Sequence, residues 1–169
     1  MPRLLSELSD KEIQNFIKSY EREDKTEGGI FSLAELRVEK LRRFPSVRAP
    51  GEIFRFIVEE ASTSPSGTVT YGKVWEFLKP QTPWQGNHSI RIVGSSLGAV
   101  IAYCVRHGLP LVSTLVVQSG SGKLSDRAVV NIYNEANLYG RGVGLNADEF
   151  VQSEAAKARQ INLAGLPEL

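Results

Sequence analysis

Cysteine and histidine are scarce in this chain, which has one cysteine and two histidines among its 169 residues. A single cysteine excludes an internal disulfide and any zinc site that needs several thiolates. The histidines and the scattered carboxylates show no ligand-like spacing, so we expect no metal and no cofactor. This sparing use of cysteine fits a reducing compartment.

An excess of charge of either sign is also missing, as is a long apolar run. The formal net charge is +1, so a nucleic-acid partner would need a local basic patch. No stretch approaches the length of a membrane span, and residues 1–12 have no apolar signal core. The apolar content of 41% and the charged content of 23% are those of a soluble globular protein. We expect a cytoplasmic protein without a membrane partner.

Three capping-box patterns predict helix starts, because the first side chain and a glutamate three residues later satisfy each other's exposed backbone donors. They are Ser9–Glu12, Ser32–Glu35 and Asn146–Glu149. Apolar residues then recur at helical spacing, and Pro45 is expected to end the second helix. Further helices are predicted over residues 51–61, 71–78, 89–107 and 125–138. Residues 111–118 predict a strand that the SGSG turn closes. The predicted fold class is therefore α+β, mostly α, in one domain of residues 1–169.

Three motifs follow one another in the middle of the chain: TVTYGKV at 68–74, IRIVGSSLG at 90–98 and LPLVSTLVVQSGSGKL at 109–124. In this order they resemble the C-terminal DNA-binding domain of the alkylguanine-DNA alkyltransferases. In that family a Tyr-Gly helix start leads to an R-x-V-G-x-x-L recognition helix, a Pro-Cys-His-Arg strand and a G-K turn. The resemblance covers about a third of the chain.

The resemblance implies a winged-helix-like core at 68–124 that contains a helix-turn-helix. A helical N-terminal extension (1–63) and C-terminal helices (125–169) would flank this core. Residues 99–108 would lengthen the recognition helix by about two to three turns relative to the family.

For DNA contacts, the resemblance points to five residues: Tyr71, Lys73, Arg91, Ser95 and Lys123. Tyr71 matches the tyrosine at which a helix start meets the DNA backbone, and Arg91 matches the arginine that the family inserts into the base stack. Lys73 and Lys123 would contact phosphates, and Ser95 would lie on a smooth surface of small residues. Alternatively, Tyr71 packs its ring under the wing, and Arg91 is simply solvated on a helix that packs closely.

The strand departs from the family at the reactive centre. Counted back from the Gly122-Lys123 turn, the Pro-Cys-His-Arg positions hold Ser113, Thr114, Leu115 and Val116. Alkyl transfer needs a thiolate that a neighbouring base activates, and Thr114 and Leu115 supply neither. We expect no alkyl transfer, as in alkyltransferase-like proteins that keep the fold and only bind DNA.

Other candidate chemistry has little support. Cys104 and His107 share a helix face, as a nucleophilic pair would, but Cys104 lies on the apolar stripe, where a free cysteine is usually buried. The SGSGK turn lacks the four residues that a P-loop places between its glycines. Trp75 and Trp84 are expected to be core or interface anchors rather than base-stacking platforms.

We therefore expect a non-enzymatic protein that binds duplex DNA, whether intact, damaged or distorted. Basic residues after Ser32 would extend the footprint if they share its face: Arg37, Lys40, Arg42 and Arg43. The alternative is a protein-interaction adaptor of a bacterial or phage accessory system, since the net charge is near zero, three helices are added to the core and no nucleophile survives. An enzyme with an unrecognised site ranks third.

Overall fold

The structure is a computed structural model that describes residues 3–25, 27–43, 47–142, 144 and 146–166. It divides into two compact units, residues 1–45 and 46–169. It is mostly helical with a small two-stranded parallel sheet, so the mostly α, α+β class is confirmed.

The first unit holds a 3₁₀ turn, Leu5–Glu7, followed by α1 (Asp10–Glu23) and α2 (Leu33–Arg43), which pack together. Both predicted capping boxes are formed: Ser9 N donates to Glu12 at 2.7 Å, and Ser32 N donates to Glu35 at 2.7 Å. The buried apolar side chains are Leu8, Ile13, Ile17, Tyr20, Leu33 and Leu36. Pro45, predicted to end α2, lies outside the described residues.

The second unit is built around one long helix. Its elements are α3 (Pro50–Thr63), β1 (Val69–Thr70), α4 (Tyr71–Leu78), α5 (Asn87–Arg106), β2 (Val116–Val117), α6 (Asp126–Leu138) and α7 (Ala147–Ala158). A 3₁₀ turn, Val112–Leu115, precedes β2, and another, Leu163–Gly165, follows α7. Helix α5 packs against α3, α4 and α6, so its apolar side forms the centre of the core.

The helical spacing of Ile90, Val93, Leu97, Ile101 and Cys104 predicts one buried stripe on α5, and this prediction is wrong for Ile90. The stripe of Val93, Leu97, Ile101 and Cys104 is buried as expected, but Ile90 is 51% exposed. The first turn of α5 therefore extends past the core. The expectation that no stretch approaches the length of a membrane span is wrong for α5, which by length and composition could cross a membrane. The core helix of a soluble protein passes the same test, and 44% of the most apolar stretch of α5 is buried within the protein.

The strand predicted over 111–118 is wrong in its first half, which forms the 3₁₀ turn Val112–Leu115. The Thr114 hydroxyl donates to the Leu111 carbonyl at 2.6 Å and closes this turn. The Leu111 amide donates to the buried Glu154 carboxylate of α7 at 3.0 Å, so a carboxylate takes the place of a strand partner. Only Val116 and Val117 pair with β1, in parallel.

Candidate functional site

An open groove of about 740 Å³ lies on the second unit, at the exposed first turn of α5. Its walls come from the start of α4, the loop before α5, the residues after β2 and the start of α6. The lining residues are Tyr71, Trp84, Asn87, Ile90, Arg91, Gly94, Gln118, Ser119, Ser125, Arg127, Ala128 and Asn131. Residue 71, residues 84–94 and residues 118–131, which are separate in the sequence, thus meet in one concave surface.

Arg91 and Arg127 supply the charge of the groove. Both side chains are exposed, and neither forms a salt bridge or a side-chain hydrogen bond with any residue that the structure describes. Within the described chain, the lining contains no Asp or Glu to balance them. The groove therefore carries two guanidinium charges with no carboxylate among its described lining residues, in a chain whose net charge is +1.

The first residue of α4, Tyr71, also lines the groove. The Thr70 hydroxyl caps α4 by accepting from the Lys73 amide at 3.3 Å, which sets the direction in which the helix begins at Tyr71. Tyr71 is half-buried against the core and also lines the groove. Burial raises the pKa of the Tyr71 phenol, so the hydroxyl stays protonated and can donate a hydrogen bond.

The remaining lining groups are mostly neutral and polar. Gln118 and Asn131 are exposed carboxamides, each of which can both donate and accept. Gly94, one turn after Arg91, has no atom within 4 Å of the place where a Cβ would stand, so the floor beside Arg91 is open. This combination of two cations, amides and open space suits an anionic, hydrogen-bonding ligand.

Two of the five predicted contact residues, Tyr71 and Arg91, line the groove. Lys73, Ser95 and Lys123 are exposed but lie outside its lining. Lys73 lies 3.7 Å from Glu76. Lys123 belongs to a tight turn in which its carbonyl accepts from the Gln118 amide at 3.1 Å.

Several groove residues were not predicted from the sequence, namely Trp84, Gln118, Ser119, Arg127 and Asn131. Arg127 and Asn131 lie on α6, beyond the segment that resembles the alkyltransferases. Arg127 could have been noticed because only Ser125 and Asp126 separate it from the SGSGKL segment, and it lies in the first turn of a helix that Ser125 caps. No local pattern marks Trp84 as a groove residue.

The positions that align with the family's reactive residues are enclosed. Thr114 and Leu115 are 3% and 1% exposed, and neither lines the groove. Cys104 is fully buried, and burial raises the pKa of its thiol to about 11. His107 is exposed and packs its ring against Tyr103, with 4.5 Å between ring centroids. The described residues therefore place no activated thiolate at the surface.

Metal ligands do not gather in the part of the chain that is described, where no three His, Cys, Asp or Glu side chains could hold an ion. Among the basic residues of α2, three are held in ion pairs within the first unit. Arg37 lies 3.0 Å from Glu21, and Arg42 and Arg43 both lie 2.7 Å from Glu39. Their charges are thus already compensated.

No protein-family model, curated protein or solved structure gives a significant match to this chain.

Proposed function

We propose that this chain is a non-enzymatic DNA-binding protein whose second unit acts as a winged-helix-like reader related to the alkyltransferase-like proteins. The observation that carries the proposal is the groove in which Tyr71 and Arg91 meet a second arginine, Arg127, with no carboxylate among the described lining residues. Two unpaired guanidinium groups attract a phosphate backbone, and binding would release its counterions.

In this proposal α4 and α5 form the helix-turn-helix. The start of α4 directs the Tyr71 hydroxyl and backbone amides toward a phosphate, since helix starts bind anions. The first turns of α5 place Arg91 beside the small surface of Gly94 and Ser95, which allows close approach of a nucleic-acid backbone. Lys73 and Lys123 would add peripheral phosphate contacts.

The absence of catalysis is part of the same proposal. Thr114 stands where the alkyl-accepting cysteine would be, and its hydroxyl is buried and hydrogen-bonded to Leu111. The high pKa of Cys104 leaves its thiol protonated at neutral pH. Neither residue offers the nucleophile that alkyl transfer requires.

The test is a titration of fluorescently labelled duplex DNA across a range of salt concentrations. We expect micromolar or tighter binding at moderate salt, with affinity that falls steeply as salt rises. Arg91→Ala should weaken binding about tenfold at roughly 0.1 M salt and reduce the logarithmic salt slope by about one unit. Arg127→Ala should do the same, and the double variant should lose about two units.

The matched control is Arg106→Ala, which removes the same charge from an exposed position on the same helix. Arg106 is fifteen residues from Arg91, or about 22 Å along the axis. It should leave both affinity and slope nearly unchanged. If Arg91→Ala and Arg106→Ala have equal effects, the groove is not the binding site, and if no DNA binds at all, the proposed function is wrong.

The first unit favours the second candidate, a protein-interaction adaptor. Phe16 and Ile30 are 43% and 77% exposed, and both line a pocket of about 200 Å³ between α1 and the start of α2. Exposed apolar side chains around a pocket are typical of protein contacts. A chain that binds no DNA in the titration above, and that loses a partner on Ile30→Asp, would support this candidate.

A further inference from the structure

Trp84 stands at the groove in a loop that is held in place from both sides. The indole N–H of Trp75 donates to the Thr82 carbonyl at 2.8 Å, just before Trp84. On the other side, the Gln85 amide donates to the hydroxyl of the fully buried Ser89 at 2.8 Å. Trp75 itself is 2% exposed and belongs to the core. The backbone on both sides of Trp84 is therefore fixed to the core.

The Trp84 ring is packed only in part against Trp75 and remains exposed to solvent. Its centroid is 6.1 Å from that of Trp75, and the two rings are inclined at 77°. In such an edge-to-face contact Trp75 cannot cover both faces of the Trp84 indole. Trp84 remains 44% exposed. Burial of an aromatic side chain is favourable, so an indole left this exposed has apolar area available for a ligand. The sequence predicts that Trp84 is an anchor rather than a base-stacking platform, but an exposed aromatic ring that the fold holds in place beside two unpaired arginines is the arrangement of a stacking platform.

We propose that Trp84 stacks on an unpaired nucleobase, and that the groove binds a single-stranded segment of nucleic acid. This inference rests on the proposed function and specifies its ligand as DNA whose duplex is opened or distorted at the groove, so that one strand presents an unpaired base to Trp84. The phosphates would lie toward Arg91 and Arg127, and the exposed carboxamides of Gln118 and Asn131 would face the edges of the base.

The shape of the site favours a base at the rim over a base in a deep pocket. Residues 112–117, which directly precede the lining residues Gln118 and Ser119, are all buried, and none of them is among the described lining residues. The described lining of the groove thus does not include Thr114. A base held on Trp84 must instead be unpaired before it arrives, because the bases of an intact duplex expose only their edges.

The experiment compares two oligonucleotide probes of about twelve nucleotides, a length within the site sizes of single-strand binders. One is oligothymidine, and the other has the same deoxyribose-phosphate backbone without bases. We expect wild-type protein to bind oligothymidine roughly tenfold more tightly than the abasic chain, because only the former can stack. Oligothymidine should also quench the tryptophan fluorescence of the protein.

Variants at Trp84 separate stacking from packing. Trp84→Leu keeps an apolar side chain against Trp75 but removes the aromatic face, and it should bind oligothymidine about tenfold more weakly while binding the abasic chain as wild type does. Trp84→Phe should retain most of the affinity but lose the quenching, since Trp75 is buried. Unchanged melting curves would confirm that both variants are folded.

Failure of this inference and failure of the proposed function have different signatures. If neither probe nor duplex DNA binds, the proposed function is wrong, and this inference falls with it. If both probes bind equally, or if Trp84→Leu binds oligothymidine like wild type while Arg91→Ala binds weakly, the stacking role is wrong and the phosphate contacts stand.

Discussion

The arginines of α2 and the arginines of the groove have the same chemistry but opposite surroundings. Arg43 donates to Glu39 at 2.7 Å, to Asp10 at 3.0 Å and to the Leu8 carbonyl at 2.6 Å. Arg91 and Arg127 have no such partner among the described residues. A cluster of basic residues thus forms an internal network in the first unit, whereas two isolated arginines supply the positive charge of the groove in the second.

The difference follows from spacing along each helix. Residues three or four positions apart lie side by side on a helix, so Glu39 reaches both Arg42 and Arg43. At the same distances from Arg91 and Arg127 the chain has only Asn, His, Gly, Ser, Lys, Leu and Val. An arginine without a carboxylate at these positions is a better indicator of a free cationic surface than a run of basic residues is.

The largest expected effect concerns thermal stability, which should respond to loss of a paired arginine of α2 but not to loss of an unpaired arginine of the groove. Arg43→Met should lower the melting temperature by several degrees, because it removes the partner of the buried Glu39 and of the carbonyls of the N-terminal turn. Arg91→Met should leave the melting temperature within about one degree, since that side chain is exposed. Thermal unfolding followed by circular dichroism measures both, and equal shifts would contradict the contrast.

Acid should act on the same network. Hydrogen bonds from Arg42 and Arg43 lower the pKa of Glu39 from 4.5 to about 2. A carboxyl with a lowered folded-state pKa stabilises the fold above its unfolded value, and this stabilisation is lost as pH falls from about 4.5 toward 2. The melting temperature should therefore drop over that interval.

Glu39→Gln isolates this contribution. The variant should be less stable at neutral pH and should lose less stability than wild type on acidification. Part of the acid sensitivity should remain, because hydrogen bonds from Arg3 and Ser9 lower the pKa of Glu12 to about 2 as well. A variant with the wild-type pH dependence would show that the Glu39 pairs do not matter in solution.

Much of the helical framework could be predicted from local sequence. The boxes at Ser9 and Ser32 are formed as expected, and Thr70 caps α4 as expected. At Asn146 only half of the box is present, since its side chain accepts from the Glu149 amide without a return bond in the structure. Such caps depend on neighbours within one turn, and therefore the sequence contains the necessary information.

The strand and the site depend on contacts between distant residues. The mostly apolar residues at 111–115 are typical of a strand, but they form a 3₁₀ turn. The Leu111 amide before that turn donates to the carboxylate of Glu154, 43 positions later in the sequence. The family resemblance points to Tyr71 and Arg91, and both line the groove. Arg127 and Trp84 reach the same groove only because α6 and the loop before α5 fold toward it, and no local pattern encodes that.

The smallest expected effects concern the peripheral lysines. Lys123 is exposed in the turn after β2 and does not line the groove, so Lys123→Ala should reduce the salt slope by less than about one unit and weaken DNA binding less than Arg91→Ala does. Lys73→Ala should act more weakly still, because Glu76 at 3.7 Å already offsets its charge.

Lys157→Ala, on the exposed side of α7, is the matched control and should have no effect. Salt titrations of the three variants rank these contributions. If Lys123→Ala weakens binding as much as Arg91→Ala, the centre of the interface lies at the turn, and the unpaired arginines of the groove are not the main cationic surface.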